Sequence, residues 1–147
     1  MEKFSIEFEQ LKQLANKLES LAGLDGVDRA VENALIATGD YVTTEIDKAV
    51  ASSKYNFNRT GRTKKSIKRN RKVEWQNSKA SIETGFSIKD GGLASIFLMY
   101  GTPRSEHPIK PDTNLKNAAK GEGVHRIMIN QIQQDEFNKV IKEMMEK

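Results

Sequence analysis

Few side chains in this 147-residue chain have the types and spacing that catalysis requires. Glu74 and Glu83 lie in two neighbouring stretches of alternating sequence, where facing carboxylates could share an acid–base task. Opposed charged positions on the water-facing side of a sheet explain them as well. His107, between two turn-forming segments, is a candidate general base, but an exposed histidine is the simpler interpretation. We expect no catalytic residue, and we keep a hydrolase that uses the two glutamates as an alternative.

Metal and cofactor chemistry has little support in the sequence. The chain has no cysteine, which excludes disulfides and thiolate ligands. Neither His107 nor His125 has a second ligand at helical or zinc-finger spacing. The glycines of Asp90-Gly91-Gly92 lack the lysine and the spacing of a phosphate-binding loop. We therefore expect no metal and no cofactor, and the charged start of the chain predicts neither a signal peptide nor a membrane anchor.

The strongest chemical signal is a run of positive charge in the middle of the chain. Residues 59–72 hold eight basic side chains and no acid, although the net charge of the whole chain is only +4. Such a cluster can neutralise phosphates of DNA or RNA. It can equally be a solvated or partner-facing patch that keeps a small sheet from pairing with other sheets. The candidate contacts to DNA or to an acidic partner are Arg59, Arg62, Lys64, Lys65, Lys68 and Arg69.

The amino-terminal third of the chain has the pattern of two amphipathic helices. Apolar residues recur at steps of three and four from Phe4, and Gly23 is predicted to end the first helix. The second helix is predicted to open at Asp25 or Asp28, whose side chains can accept from free backbone amides. It is predicted to fade out near Ser52.

The middle of the chain carries the clearest strand signal. Val73 and Trp75 alternate with charged residues, and after a turn at 77–78 every second position from Ala80 to Ile88 suits a buried face. This alternation predicts a hairpin. A short helix is predicted just before it, within 60–67.

The remaining segments complete an α+β plan. The apolar run 93–100 is a buried strand or a pair of helical turns, and 101–123, which holds all three prolines, is predicted to be a long extended loop. A terminal helix follows from about Val124. We expect one domain, 1–147, in which a small antiparallel sheet packs against amino-terminal and carboxy-terminal helices. Its parts are a helical region at 1–52, the hairpin and buried element at 60–100, the loop at 101–123 and the helix at 124–147.

The order of short motifs in this plan resembles a known family. The chain is similar to the tail-component proteins of long-tailed double-stranded DNA phages and prophages in the order of four features. These are "TGRTKKSI" at 60–67, the hairpin, an apolar run that ends in "MYGT" at 99–102, and the proline stretch. The proteins of this family are the small minor tail, tail-completion or head–tail joining proteins. The residues that carry the resemblance are Thr60, Gly61 and Ser66 in the first motif, Gly101 and Thr102 in the second, and Pro108 and Pro111 in the proline stretch.

The resemblance implies a structural protein of phage assembly that acts as a ring, often of six copies. It implies that phage neck or connector proteins and tail-tube proteins are partners, that DNA passes through the lumen, and that the protein is found in the host cytoplasm and then in the virion. Gly101 can turn the chain sharply, and the prolines then favour a stiff arm that lies on a neighbouring subunit. The predicted interface residues are Tyr100, Gly101, Thr102, Pro103, Pro108 and Pro111. The alternative is a small nucleic-acid-binding protein that uses residues 59–72.

Overall fold

The computed structural model describes residues 2–6, 9–52, 65–68, 70–77, 79–87, 93–101 and 110–146. Within these ranges the elements follow a β-α-β-β-β-α-α-α order. They are β1 (Glu2–Ser5), α1 (Glu9–Ser52), β2 (Ile67–Lys68), β3 (Glu74–Gln76), β4 (Lys79–Phe86), α2 (Leu93–Tyr100), α3 (Thr113–Lys120) and α4 (Val124–Met145).

Helix α1 bends sharply at Gly23. Gly23 has φ 72° and ψ −171°, a conformation that only glycine adopts readily, and it is the one non-helical residue within the 44-residue element. The segments on its two sides pack together, since Leu11 and Leu18 of the first share a buried cluster with Ala30 and Ala34 of the second. The predicted break at Gly23 is confirmed.

Strand β4 is the centre of a four-stranded antiparallel sheet. Strand β1 pairs with its residues 81–84 on one side. On the other side, β3 pairs with residues 79–81 and β2 with residues 85–86. The predicted hairpin is therefore confirmed as β3–β4, with Asn77 at φ 58° in its turn.

The gap between β2 and β3 is bridged by an asparagine side chain. Asn70 Nδ2 donates to the carbonyl oxygen of Glu83 at 2.8 Å, and Asn70 Oδ1 accepts from the amide of Lys72 at 2.9 Å. The amide group of Asn70 thus replaces a main-chain partner where the chain leaves the ladder.

The inner face of the sheet packs against α1. Ala80 and Ile82 of β4 form a buried cluster with Leu35. Two turns further along α1, the hydroxyl groups of Thr43 and Thr84 are hydrogen-bonded at 3.0 Å, which satisfies both inside the core.

Helix α4 runs antiparallel to the longer segment of α1. The Tyr41 hydroxyl and His125 Nδ1 are hydrogen-bonded at 2.9 Å near the start of α4, whereas Arg29 pairs with Glu143 near its end. The apolar side of α4 completes the core between these contacts through Phe137, Val140 and Ile141. The predicted terminal helix is confirmed.

Helix α3 and the turn after it are set by two local signals. Asp112 precedes the helix, and its Oδ1 accepts from the amide of Leu115 at 3.1 Å. Gly121 follows at φ 64° and ψ 37°, and its amide donates to the carbonyl of Asn117. The chain then reverses into α4 within three residues.

The α+β prediction is confirmed, with a small antiparallel sheet packed against long helices near both ends of the chain. Three local predictions are wrong. Phe4 lies in strand β1, because pairing with β4 outweighs the helical spacing of its neighbours. Residues 113–120 of the predicted loop form α3, whose Leu115 is buried in the core. Helical backbone resumes directly after Gly23, so neither Asp25 nor Asp28 begins the second segment.

Candidate interaction surfaces

A surface pocket lies where the end of β4 meets α2 and α3. Its volume is about 180 Å³, and the side chains that line it are mainly apolar, among them Phe86, Ile96 and Met99. Tyr100 stands at its rim with 49% of its surface exposed. The apolar run 93–100, for which the sequence left strand and helix as alternatives, forms helix α2. We call the cavity that this helix borders the Tyr100 pocket.

Two lysines flank the ring of Tyr100. The Nζ atoms of Lys116 and Lys120, one turn apart on α3, each lie 5.6 Å from the ring centroid, near the outer limit of a cation–π contact. Lys120 also pairs with Glu2 at 3.3 Å. Hydrogen bonding to Tyr100 and to Glu2 raises the pKa of Lys120 above that of an ordinary lysine. Lys116 has no carboxylate partner among the described residues, so the rim is positively charged.

The outer face of α4 is apolar over its first two turns. Val124, Ile127 and Met128 are 67%, 70% and 44% exposed, and their i, i+3, i+4 spacing places them on one side of the helix. The opposite side carries His125 and Ile129, which are buried. We call these three exposed residues the α4 stripe.

A second exposed apolar group lies at the other end of α4. Leu21 and Leu24 flank the bend at Gly23, with 46% and 67% of their surfaces exposed, and Met145 ends α4 with 64% exposed. A Cβ placed on Gly23 would meet no atom within 4 Å, so the bend projects into open space. We call Leu21, Leu24 and Met145 the bend patch.

The sequence analysis placed Tyr100 at an interface but did not single out the α4 stripe, although the sequence carried a signal for it. Val124, Ile127 and Met128 fall outside the apolar series that forms the core side of the terminal helix. An apolar series on the second side of a helix indicates a contact beyond the core. The cavity beside Tyr100 had no such signal, because residues of four elements, β1, β4, α2 and α3, line it.

Part of the predicted interface lies at the Tyr100 pocket. Gly101 has φ 80°, as expected for a sharp exit from α2, and Pro111 is exposed just before α3. Tyr100 is at the pocket rim. Thr102, Pro103 and Pro108, together with His107, lie outside the described residues.

The basic run is described only in part. Lys65 is exposed, and Ser66 is buried, with its carbonyl accepting from the amide of Ser87 at 2.7 Å. The backbone of Lys68 pairs with Gly85 in β2. Further along the run, Arg71 pairs with Asp40 of α1 at 2.6 Å. The predicted positions Arg59, Thr60, Gly61, Arg62, Lys64 and Arg69 lie outside the described residues.

The two glutamates of the hydrolase alternative do not face each other. Glu74 is opposite Ser81 in the β3–β4 register, whereas Glu83 is opposite Lys3 in β1 and pairs with its Nζ at 3.6 Å. The prediction of a facing acid pair is therefore wrong. Among the described residues no group of three or more acidic or histidine side chains is placed to hold a metal ion. None of the described helices is long and apolar enough to cross a membrane.

Comparison of the chain with protein-family models, with curated proteins and with solved structures gives no match.

Proposed function

We propose that this protein is a non-enzymatic structural protein that assembles with copies of itself into a ring, at the junction between the neck and the tail tube of a phage particle. The observation that carries the proposal is the presence of two separate exposed apolar surfaces, the α4 stripe and the bend patch, at opposite ends of α4. A helix of 22 residues spans about 33 Å. The two surfaces are therefore separated by most of the length of α4.

Two different surfaces on one chain suit a ring. In a symmetric dimer each copy uses the same patch, whereas a head-to-tail contact joins one patch of a copy to a different patch of the next. Such contacts close into a ring when the rotation between copies allows it. The bend patch at one end, and the α4 stripe with the Tyr100 pocket at the other, provide two such patches.

The energetic argument favours a covered state for these surfaces. Fully burying one large aliphatic side chain contributes about 1.5–3 kcal/mol. Three side chains of the α4 stripe and three of the bend patch are 44–70% exposed, so part of that contribution is unused in the single copy.

The place in a phage particle rests on the resemblance of residues 55–120 to tail-component proteins. Neck or connector proteins and tail-tube proteins are the partners of this proposal. The basic run 59–72 would then face the DNA passage or an acidic neighbouring ring. Lys65 and Lys72, both exposed, are consistent with that role.

The test is the mass of the purified protein in solution by light scattering, across protein concentration, at low and moderate salt, with and without duplex DNA. We expect particles at a small multiple of 16.6 kDa that do not depend on DNA. A protein that stays a single copy at every concentration, and binds DNA with a steep salt dependence, would instead support the nucleic-acid-binding alternative. In that case replacing Lys64, Lys65, Lys68 and Arg69 by Gln should abolish the DNA affinity.

A further inference from the structure

The Tyr100 pocket and the bend patch are complementary in shape. The bend is convex, and Leu24 is its most exposed side chain. The pocket is concave and mainly apolar, with a volume of about 180 Å³. A cavity of about 150 Å³ is large enough for benzene. A leucine side chain has fewer carbon atoms than benzene, so it fits.

The two surfaces are also complementary in charge. Asp25 follows Leu24 directly and Asp28 lies one helical turn after Leu24. Both are exposed and have no ion-pair partner among the described residues. Lys116 and Lys120 stand at the pocket rim, and Lys116 has no carboxylate partner there. A leucine that enters the pocket would bring the next carboxylate towards these ammonium groups.

Resting on the ring proposed above, we infer that the Tyr100 pocket of one copy binds Leu24 of the next copy, with Asp25 paired to Lys116. The occupant is a second copy of this chain. The α4 stripe is the competing receptor at the same end of the molecule. It is a convex helix surface, whereas the Tyr100 pocket combines a cavity with two lysines at its rim. The α4 stripe is then free for a different neighbour in the particle.

The absence of cysteine from the chain makes cross-linking specific to introduced thiols. The variant Asp25→Cys is mixed in turn with three other single variants. Lys116→Cys tests the Tyr100 pocket, Ile127→Cys tests the α4 stripe, and Lys139→Cys is an exposed control away from the pocket and the stripe. A short bismaleimide reagent is added to each mixture. We expect a covalent dimer from the mixture with Lys116→Cys, and little or none from each variant alone or from the other two mixtures.

Charge exchange gives a second, independent readout. Lys116→Glu should weaken self-association and reverse its sensitivity to salt, because added salt then screens a repulsion between two carboxylates. The double variant Lys116→Glu, Asp25→Lys should restore both the affinity and the original salt dependence. Leu24→Ser should weaken self-association by about 10- to 100-fold, the loss expected when a buried leucine contact is removed. Because Leu24 is 67% exposed, this variant should keep the thermal stability of the parent chain.

These experiments test the pocket contact and the ring separately. Particles of multiple mass that cross-link through Ile127→Cys, or that ignore the charge reversal, would overturn the pocket contact and leave the ring in place. A chain that stays a single copy at all concentrations would overturn both.

Discussion

The turn between α3 and α4 sets where α4 begins, and Gly121 makes it possible. A Cβ on Gly121 would lie 2.7 Å from Phe4 Cε1 and 2.8 Å from Ile129 Cδ1, closer than non-bonded carbon atoms approach. Alanine would also hold a left-handed conformation, at a cost of about 1–2 kcal/mol. Overpacking adds about 1–3 kcal/mol, and the lower entropy of the unfolded chain returns about 0.4–1 kcal/mol. We therefore expect Gly121→Ala to lower the free energy of unfolding by about 1–4.5 kcal/mol.

Urea unfolding followed by circular dichroism measures this loss, and a second background identifies its cause. Ile129→Val removes the Cδ1 atom that the new methyl group would meet, and by itself costs about 0.5–1.5 kcal/mol. If the contact is the cause, Gly121→Ala should cost less in the Ile129→Val background, by about 0.5–1.5 kcal/mol. A loss below about 1 kcal/mol in the parent chain, or an equal loss in both backgrounds, would show that the turn yields and that our account of its packing is mistaken.

Three further predictions address the core, the sheet and the α4 stripe. Burial, with a smaller contribution from Glu45, raises the pKa of Tyr41 above 10.0, so above about pH 10 the unfolded chain loses this proton first and the free energy of unfolding falls. Tyr41→Phe should reduce this alkaline loss of stability, which urea unfolding at about pH 8 and about pH 11 measures. At neutral pH the same variant should cost about 1–3 kcal/mol for the lost hydrogen bond. Asn70→Ala should cost about 1–3 kcal/mol, because the carbonyl of Glu83 loses its donor, and faster hydrogen exchange in β4 would check this. Ile127→Ser should change the free energy of unfolding of the single copy by no more than about 0.5 kcal/mol, as a surface substitution does, and thermal unfolding checks this. A larger loss of stability would place Ile127 in the core instead.

The sequence predicts the elements of this fold better than their contacts. The alternation around Trp75 and Ala80 and the break at Gly23 each depend on local backbone preferences, and all are found where expected. Phe4 was misassigned because its spacing continues a helical series, while its strand exists only through pairing with β4, some 80 residues away. Helix α3 was hidden by the prolines before it, although the Asp112 cap and Gly121 are ordinary helix-end signals.

The candidate surfaces also depend on contacts that the sequence alone does not predict. Exposure depends on which side of a helix the core occupies, and that becomes known only when the partners of the helix are known. The α4 stripe could be recognised as a second apolar series, but whether it or the series of Ile129 faced the core depended on α1. The rim of the Tyr100 pocket joins Glu2 to Lys120, a pair that no local pattern predicts.

The bend at Gly23 connects the stability of the core to the proposed contact. A straight helix of 44 residues would extend about 66 Å, well beyond the rest of so small a chain. Turning back at Gly23 brings Leu11 and Leu18 onto the cluster that also holds Phe137. The tightness of that turn leaves Leu24 outside the core, and the part of the chain that the structure describes leaves 67% of its surface exposed. The packing that completes the single copy therefore also leaves Leu24 more exposed than the other described leucines, and a neighbouring copy needs only a pocket of about one side chain's volume to bind it.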